Sequence, residues 1–206
     1  MSWKKAAPLS GFLFIVLFVA GVVVSQVPAD TASDQDWIAA YTGSALQLSH
    51  LATGICLVLA GLSLMSFLTA LRNRIDALRG PAQLSSLPLV AAATSAACIA
   101  AGGIMMATVS GAELVGHGPL PGADLLRFAN AAGFGLVALG GMLAADLSLV
   151  GLAIQARATG LFGPKLFAFS LVVAVMLLGS LLFLPILGLF VWLMVVAVKL
   201  LRTPQP

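Results

Sequence analysis

Charge is the scarcest property of this chain. Only 8% of its 206 residues are Asp, Glu, Lys or Arg, while 61% are hydrophobic. A soluble domain carries about 25% charged residues. Too few polar side chains exist here to cover a surface in water, so the composition defines a membrane protein. Cysteine is nearly missing. Cys56 and Cys98 both lie inside apolar segments, which gives no disulfide framework and no metal-ligand spacing, and reads as small packing residues. Histidine is limited to His50 and His117, so no deep pair is present to ligate haem. With Glu113 and the outer aspartates they form no clustered ligand motif, and a surface pair of Glu113 with His117 is the simpler reading. The chain also lacks a Gly-x-Ser-x-Gly elbow, a phosphate loop and a dinucleotide fingerprint. No catalytic residue, cofactor or metal site is therefore expected. The pI is near 9.2, yet no basic run or aromatic-interleaved patch points to nucleic acid. Richness in Ala, Gly, Leu and Val with few Lys and Ile suits a GC-rich bacterial source.

What is present is a series of long apolar runs with charge at the gaps between them. Lys4 and Lys5 precede the first. Asp30, Asp34 and Asp36 fill the next gap, then Arg72, Arg74 and Arg79, then Glu113 and Asp124, then Arg157 and Lys165, and finally Lys199 and Arg202. A spanning helix needs about 20 mainly apolar residues. The expected fold is an all-α polytopic bundle, a single domain with spans near 9–27, 50–71, 87–109, 128–154, 166–182 and 186–201. The last apolar run, Leu166–Val198, has 33 residues. One helix of that length would measure about 50 Å, so two short spans joined around Leu184-Pro185-Ile186 fit better than one kinked helix, the five-span alternative.

Charge supports six. With both termini cytoplasmic, nine cationic side chains face inward and only Arg127 faces out. The expected location is the bacterial cytoplasmic membrane. A cleaved signal peptide at Val27-Pro28-Ala29 is the alternative for span 1, but its apolar run is longer than a usual leader core.

The loops carry local signals. Ser33 can cap a short interfacial helix near 33–45, with Asp34 and Asp36 in its first turn. Trp37 and Tyr41 share one face of it and are read as membrane-interface anchors. Gly80-Pro81 stops an extension of span 2, Gly116 through Gly122 form an irregular outer loop, and Asp124 can cap span 4.

Asp146 is the only acidic residue deep in an apolar span. Eleven residues of helix place it about 16 Å inward of Arg157. A carboxyl there is costly and is a functional candidate by default. It can also be hydrogen-bonded glue between helices, or line a wet crevice. Gly133, Gly140, Ala144, Ser148 and Gly151 form a small-residue stripe on the opposite side of that helix, suited to close packing. At Asp146 depth, Ser63, Thr94 and Ser95 are its candidate partners. The rows Ala93-Ala97-Ala101 and Ala92-Ala96-Ala100 predict a central, closely packed span 3.

The layout resembles a family of small six-span bacterial membrane proteins, common in actinobacteria. The similar features are Pro8-Leu9-Ser10-Gly11-Phe12-Leu13-Phe14, Trp37-Ile38-Ala39-Ala40-Tyr41, Leu71-Arg72, Asn130-Ala131-Ala132-Gly133-Phe134, Gly160 through Lys165, and Pro185 through Trp192 to Arg202. The resemblance implies six helices and carries no activity. Three functions remain open. One is a non-catalytic membrane subunit or scaffold, meeting the bilayer and a membrane partner or a second copy through small-residue faces. Another is a small transporter or channel component working through Asp146. The third is a membrane enzyme or sensor using the outer loops.

Overall fold

The computed structural model describes residues 7–29, 31–79, 85–116, 119–182 and 184–202, and these form helices and turns without a strand. Apolar runs become helices because hydrocarbon offers no partner for backbone N–H and C=O groups. A 3-10 turn, Ala7–Leu9, leads into α1, Ser10–Val24. Short α2 is Asp34–Ala40, followed by α3, Ser44–Arg79, and α4, Leu87–Gly116. Helix α5, Ala123–Ala158, has 36 residues and contains a π-helical segment at Leu136–Gly141. The chain closes with α6, Pro164–Leu177, and α7, Leu184–Arg202.

Five of these helices are long and apolar enough to cross a membrane, namely those of Ala7–Val24, Ser44–Leu78, Leu87–Gly116, Ala123–Ala158 and Leu184–Arg202. Helix α6, with 14 residues, is shorter than the 17 expected, and a 3-10 turn at Ser180–Leu182 extends it. The C-terminal run is an antiparallel hairpin rather than one kinked helix. Trp192 Nε1 donates to Ser170 Oγ at 2.8 Å across 22 positions, which a straight helix would hold about 33 Å apart. The turn falls a few residues earlier than Leu184-Pro185-Ile186. Pro185 instead occupies the first turn of α7, where its missing N–H leaves no bond unmade. Ser180 Oγ donates to Ala138 O at 2.6 Å, so the hairpin tip supplies a partner to the π segment of α5.

Helix α4 is central, as its small residues predict: α3 packs on one side of it and α5 on the other. A Cβ on Gly61 would sit 2.7 Å from Ala96 O, and one on Gly54 would sit 2.9 Å from Gly103 O. On the opposite side, Gly140 faces Cys98 and Gly151 faces Pro88. The small stripe of α5 therefore does meet α4. Only one of the two alanine rows of α4 is used this way. Ala92 and Ala96 are buried, whereas Ala93, Ala97 and Ala101 are exposed.

The main core lies where α1, α3, α5 and α7 converge. It buries Phe14, Phe18, Leu64, Phe67, Leu149, Phe162 and Trp192. Phe14 and Phe18 meet Phe190 edge to face, with ring centroids 6.0 and 5.8 Å apart. Helix α1 is thus an integral part of this bundle. Its last turn lies beside Thr53, whose hydroxyl donates to Gly21 O. The first turns of α3, together with α2 and the start of α5, run past that level and pack around a second cluster of Trp37, Tyr41, Ala123 and Leu126.

Two local expectations change. The helix expected over 33–45 ends at Ala40, and Gly122, not Asp124, is the N-cap of α5. The predicted capping at Ser33 is present as a reciprocal box with Asp36. Lys4, Lys5, Asp30, Gly80, Pro81, His117 and Gly118 lie outside the described residues.

Candidate functional site

Along α5, Asp146 falls between the levels of Gly140, which faces Cys98, and Gly151, which faces Pro88, on the side of the helix turned away from those contacts. It is 8% exposed. Along its own face of α5, Met142, Leu149 and Ala153 are fully buried, while Leu139 and Leu143 are exposed. The carboxyl therefore lies on the edge between the packed interior and the lipid-facing flank. Its Oδ1 is buried with no hydrogen-bond partner.

None of the three expected partners bonds to it. Ser63 Oγ donates to Leu59 O, and Thr94 Oγ1, on the exposed side of α4, donates to Val90 O. Helical hydroxyls turn back to their own preceding carbonyls because that acceptor is always in reach. Ser95 is fully buried and its Oγ has no partner. It lies between Pro88 and Cys98 on the α4 face that meets the small stripe of α5, on the far side of α5 from Asp146. Ser148 Oγ, on that stripe, is likewise unpartnered. Position along each helix could be counted from the sequence, but the direction each side chain takes around its helix could not.

Trp37 and Tyr41 share one face as expected, but they are not interface anchors. Each is only 1% exposed. Their rings cover the ends of the long helices instead of reaching lipid, because α2 folds down onto α5. Arg127 fastens it there. Its guanidinium lies 2.7 Å from Asp34 Oδ1, donates to Ala32 O at 3.0 Å, and stands 5.7 Å from the centre of the Trp37 ring. Next to this, His50 Nδ1 and Ser110 Oγ share a hydrogen bond of 2.8 Å, and the imidazole lies tilted against Tyr41 at 4.3 Å between centroids. Gln47 Nε2 donates to Tyr41 O. Burial holds the Tyr41 phenol above its usual pKa near 10. Among the described residues, no three His, Cys, Asp or Glu side chains come together as a metal site.

A buried cation with three hydrogen bonds was not legible in the sequence. Arg72, read only as a membrane-boundary cation, is 7% exposed. Its Nη1 donates to Ser85 O at 2.6 Å and to Gln155 Oε1 at 2.9 Å, and its Nε donates to Asp76 at 3.0 Å. Gln155 Nε2 also reaches Ser85 O. This network joins the basic ends of α3 and α5 to the segment entering α4. Arg72 and Asp76 at i, i+4 were a visible signal; Gln155, 83 positions away, was not.

Two surface grooves are found among the described residues. One, of about 340 Å³, lies between α3 and α4 and is lined by Leu51, Gly54, Ile55, Ile104, Ala107 and Thr108 among others. The other follows α7 near its C-terminus. Neither is lined by Asp146. Comparison with protein-family models, curated proteins and solved structures gives no match. The class that the fold itself defines is a multi-pass helical membrane protein.

Proposed function

We propose that this protein is a non-catalytic membrane subunit or scaffold. The observation that carries this reading is the exposed Ala93-Ala97-Ala101 row on the central helix. Small residues at this spacing let a second membrane helix approach closely, and within lipid such close packing is a main source of association. The groove between α3 and α4 opens on the same helix. The Gly54, Gly61 and Gly102 contacts, tight enough that a Cβ would collide, favour a rigid platform over a moving gate. The occupant is a partner chain or a second copy. Six crossings, both termini cytoplasmic and a bacterial cytoplasmic membrane remain the topology favoured by the nine-to-one placement of cations. The family resemblance belongs to the same proposal.

The test is capture in native nanodiscs. The protein should be recovered with a stoichiometric membrane partner or as an oligomer. Ala97→Phe should reduce that recovery at least tenfold while the monomer keeps its melting temperature. A protein that is strictly monomeric and alone would sink the reading.

A second reading is a small transporter or channel component. Its support is the unpartnered Oδ1 of Asp146 together with the π segment that ends five residues before it, since π segments often accompany functional sites. On that reading Asp146→Asn abolishes flux through proteoliposomes at unchanged expression. Full flux in that variant removes Asp146 from any transport role.

A further inference from the structure

The groove on α7 has a volume of about 550 Å³ and is lined by Met194, Val195, Val198, Lys199 and Arg202. The spacing of these residues places them along one side of the helix, over its last two turns or so. Met194, Val195 and Val198 are 38%, 43% and 37% exposed, so their side chains present an open apolar strip. The two cations follow it at the C-terminal end of α7.

The strip therefore changes character along its length. Among its described residues, the first part offers only hydrocarbon, and the end offers two positive charges three residues apart. Helix α7 is apolar enough to cross a membrane, so the strip lies in one leaflet and the cations lie at its headgroup level. A helix dipole and the membrane boundary explain why cations stand at a helix C-terminus. They do not explain why both cations line the same cleft as the apolar strip. That cleft matches a molecule with hydrocarbon at one end and negative charge at the other.

We propose that this groove is a binding site for an anionic phospholipid. An acyl chain lies along Met194, Val195 and Val198, and the phosphate meets Lys199 and Arg202. Lipid, and not soluble phosphate, is the occupant because Met194, Val195 and Val198 match an acyl chain and offer nothing to a free anion. The inference rests on the membrane-embedded fold alone and stands whether or not the protein is a scaffold.

The experiment is native mass spectrometry of the full chain released from nanodiscs holding equal amounts of phosphatidylglycerol and phosphatidylcholine. The retained lipid should be mainly phosphatidylglycerol, and rising salt should weaken the preference. A cation near an anionic headgroup contributes about fivefold, so the Lys199→Gln and Arg202→Gln double variant should lower the preference by roughly 30-fold. Lys165→Gln, a change to an exposed cation on α6, should leave it intact. Val198→Phe fills the apolar strip without touching charge and should reduce retention of both lipids. Equal retention of the two lipids by the native chain overturns the proposal. So does a preference that survives the double variant.

Discussion

Replacing Gly102 by valine is expected to be the most damaging single substitution in the bundle. A Cβ at this position would lie 2.5 Å from Gly133 O and 2.6 Å from Val137 Cγ2. The first of these is backbone, so no rotamer change relieves the clash; α4 and α5 must separate. Separation undoes the contacts of the whole small-residue face, and in lipid there is little hydrophobic gain from bringing helices together to compensate. Overpacking typically costs 1–3 kcal/mol where side chains can move, and about 3 kcal/mol or more is expected here. Unfolding in mixed detergent micelles measures it, with Gly135→Ala as the control. Gly135 is on the facing helix, α5, with nothing within 4 Å of its Cβ position. If Gly102→Val melted like the native protein, the α4–α5 contact could not be as close as described.

The second large effect is expected at Arg72. Truncation to alanine removes the donor for Gln155 Oε1 and one of the donors to Ser85 O. A buried polar group left without a partner costs about 1–3 kcal/mol, so a total loss of about 2–4 kcal/mol is expected. Arg72→Lys should recover only part of it, because a single ammonium cannot replace the fixed fork of a guanidinium. Asp76→Asn should cost under about 1 kcal/mol, since that carboxylate is 47% exposed and the pair is solvent-screened. A double-mutant cycle between Arg72 and Gln155 isolates their coupling. No coupling would mean that Arg72 acts as a boundary charge after all.

The two substitutions differ in what the sequence disclosed about them. Gly102 was recognisable as part of a small, central helix, because spacing on one helix reveals a face. Its partner Gly133 was recognisable in the same way, as part of the stripe on α5. Arg72 was visible as a cation at the end of an apolar run, but that run looked the same whether its last charge entered water or turned inward. Trp37 and Tyr41 misled for a related reason. Amphipathic aromatic rings suit a membrane interface, yet they suit a protein interior equally well once another element covers them.

Asp146 shows the limit most plainly. Its depth of about 16 Å followed from counting residues along a helix, and so did its position opposite the small stripe. Which neighbour it meets did not follow. Ser63, Thr94 and Ser95 match it in depth but take other directions around their helices, and all are on α3 or α4.

By itself, the sequence determined the membrane class, the helical composition, the approximate limits of the apolar runs and the packing face of α5. These depend on one-dimensional quantities: hydropathy, period and the placement of charge. The tertiary structure decided that the C-terminal run folds back as a hairpin, that α2 lies over the helix ends, that Arg72 joins Gln155, and that Asp146 Oδ1 is left without a partner. Each of these depends on the rotation and neighbours of whole helices. Many packings place the same apolar faces out of water, so hydrophobicity alone does not choose among them; close contacts such as Gly102 with Gly133 and bonds such as Trp192 with Ser170 do.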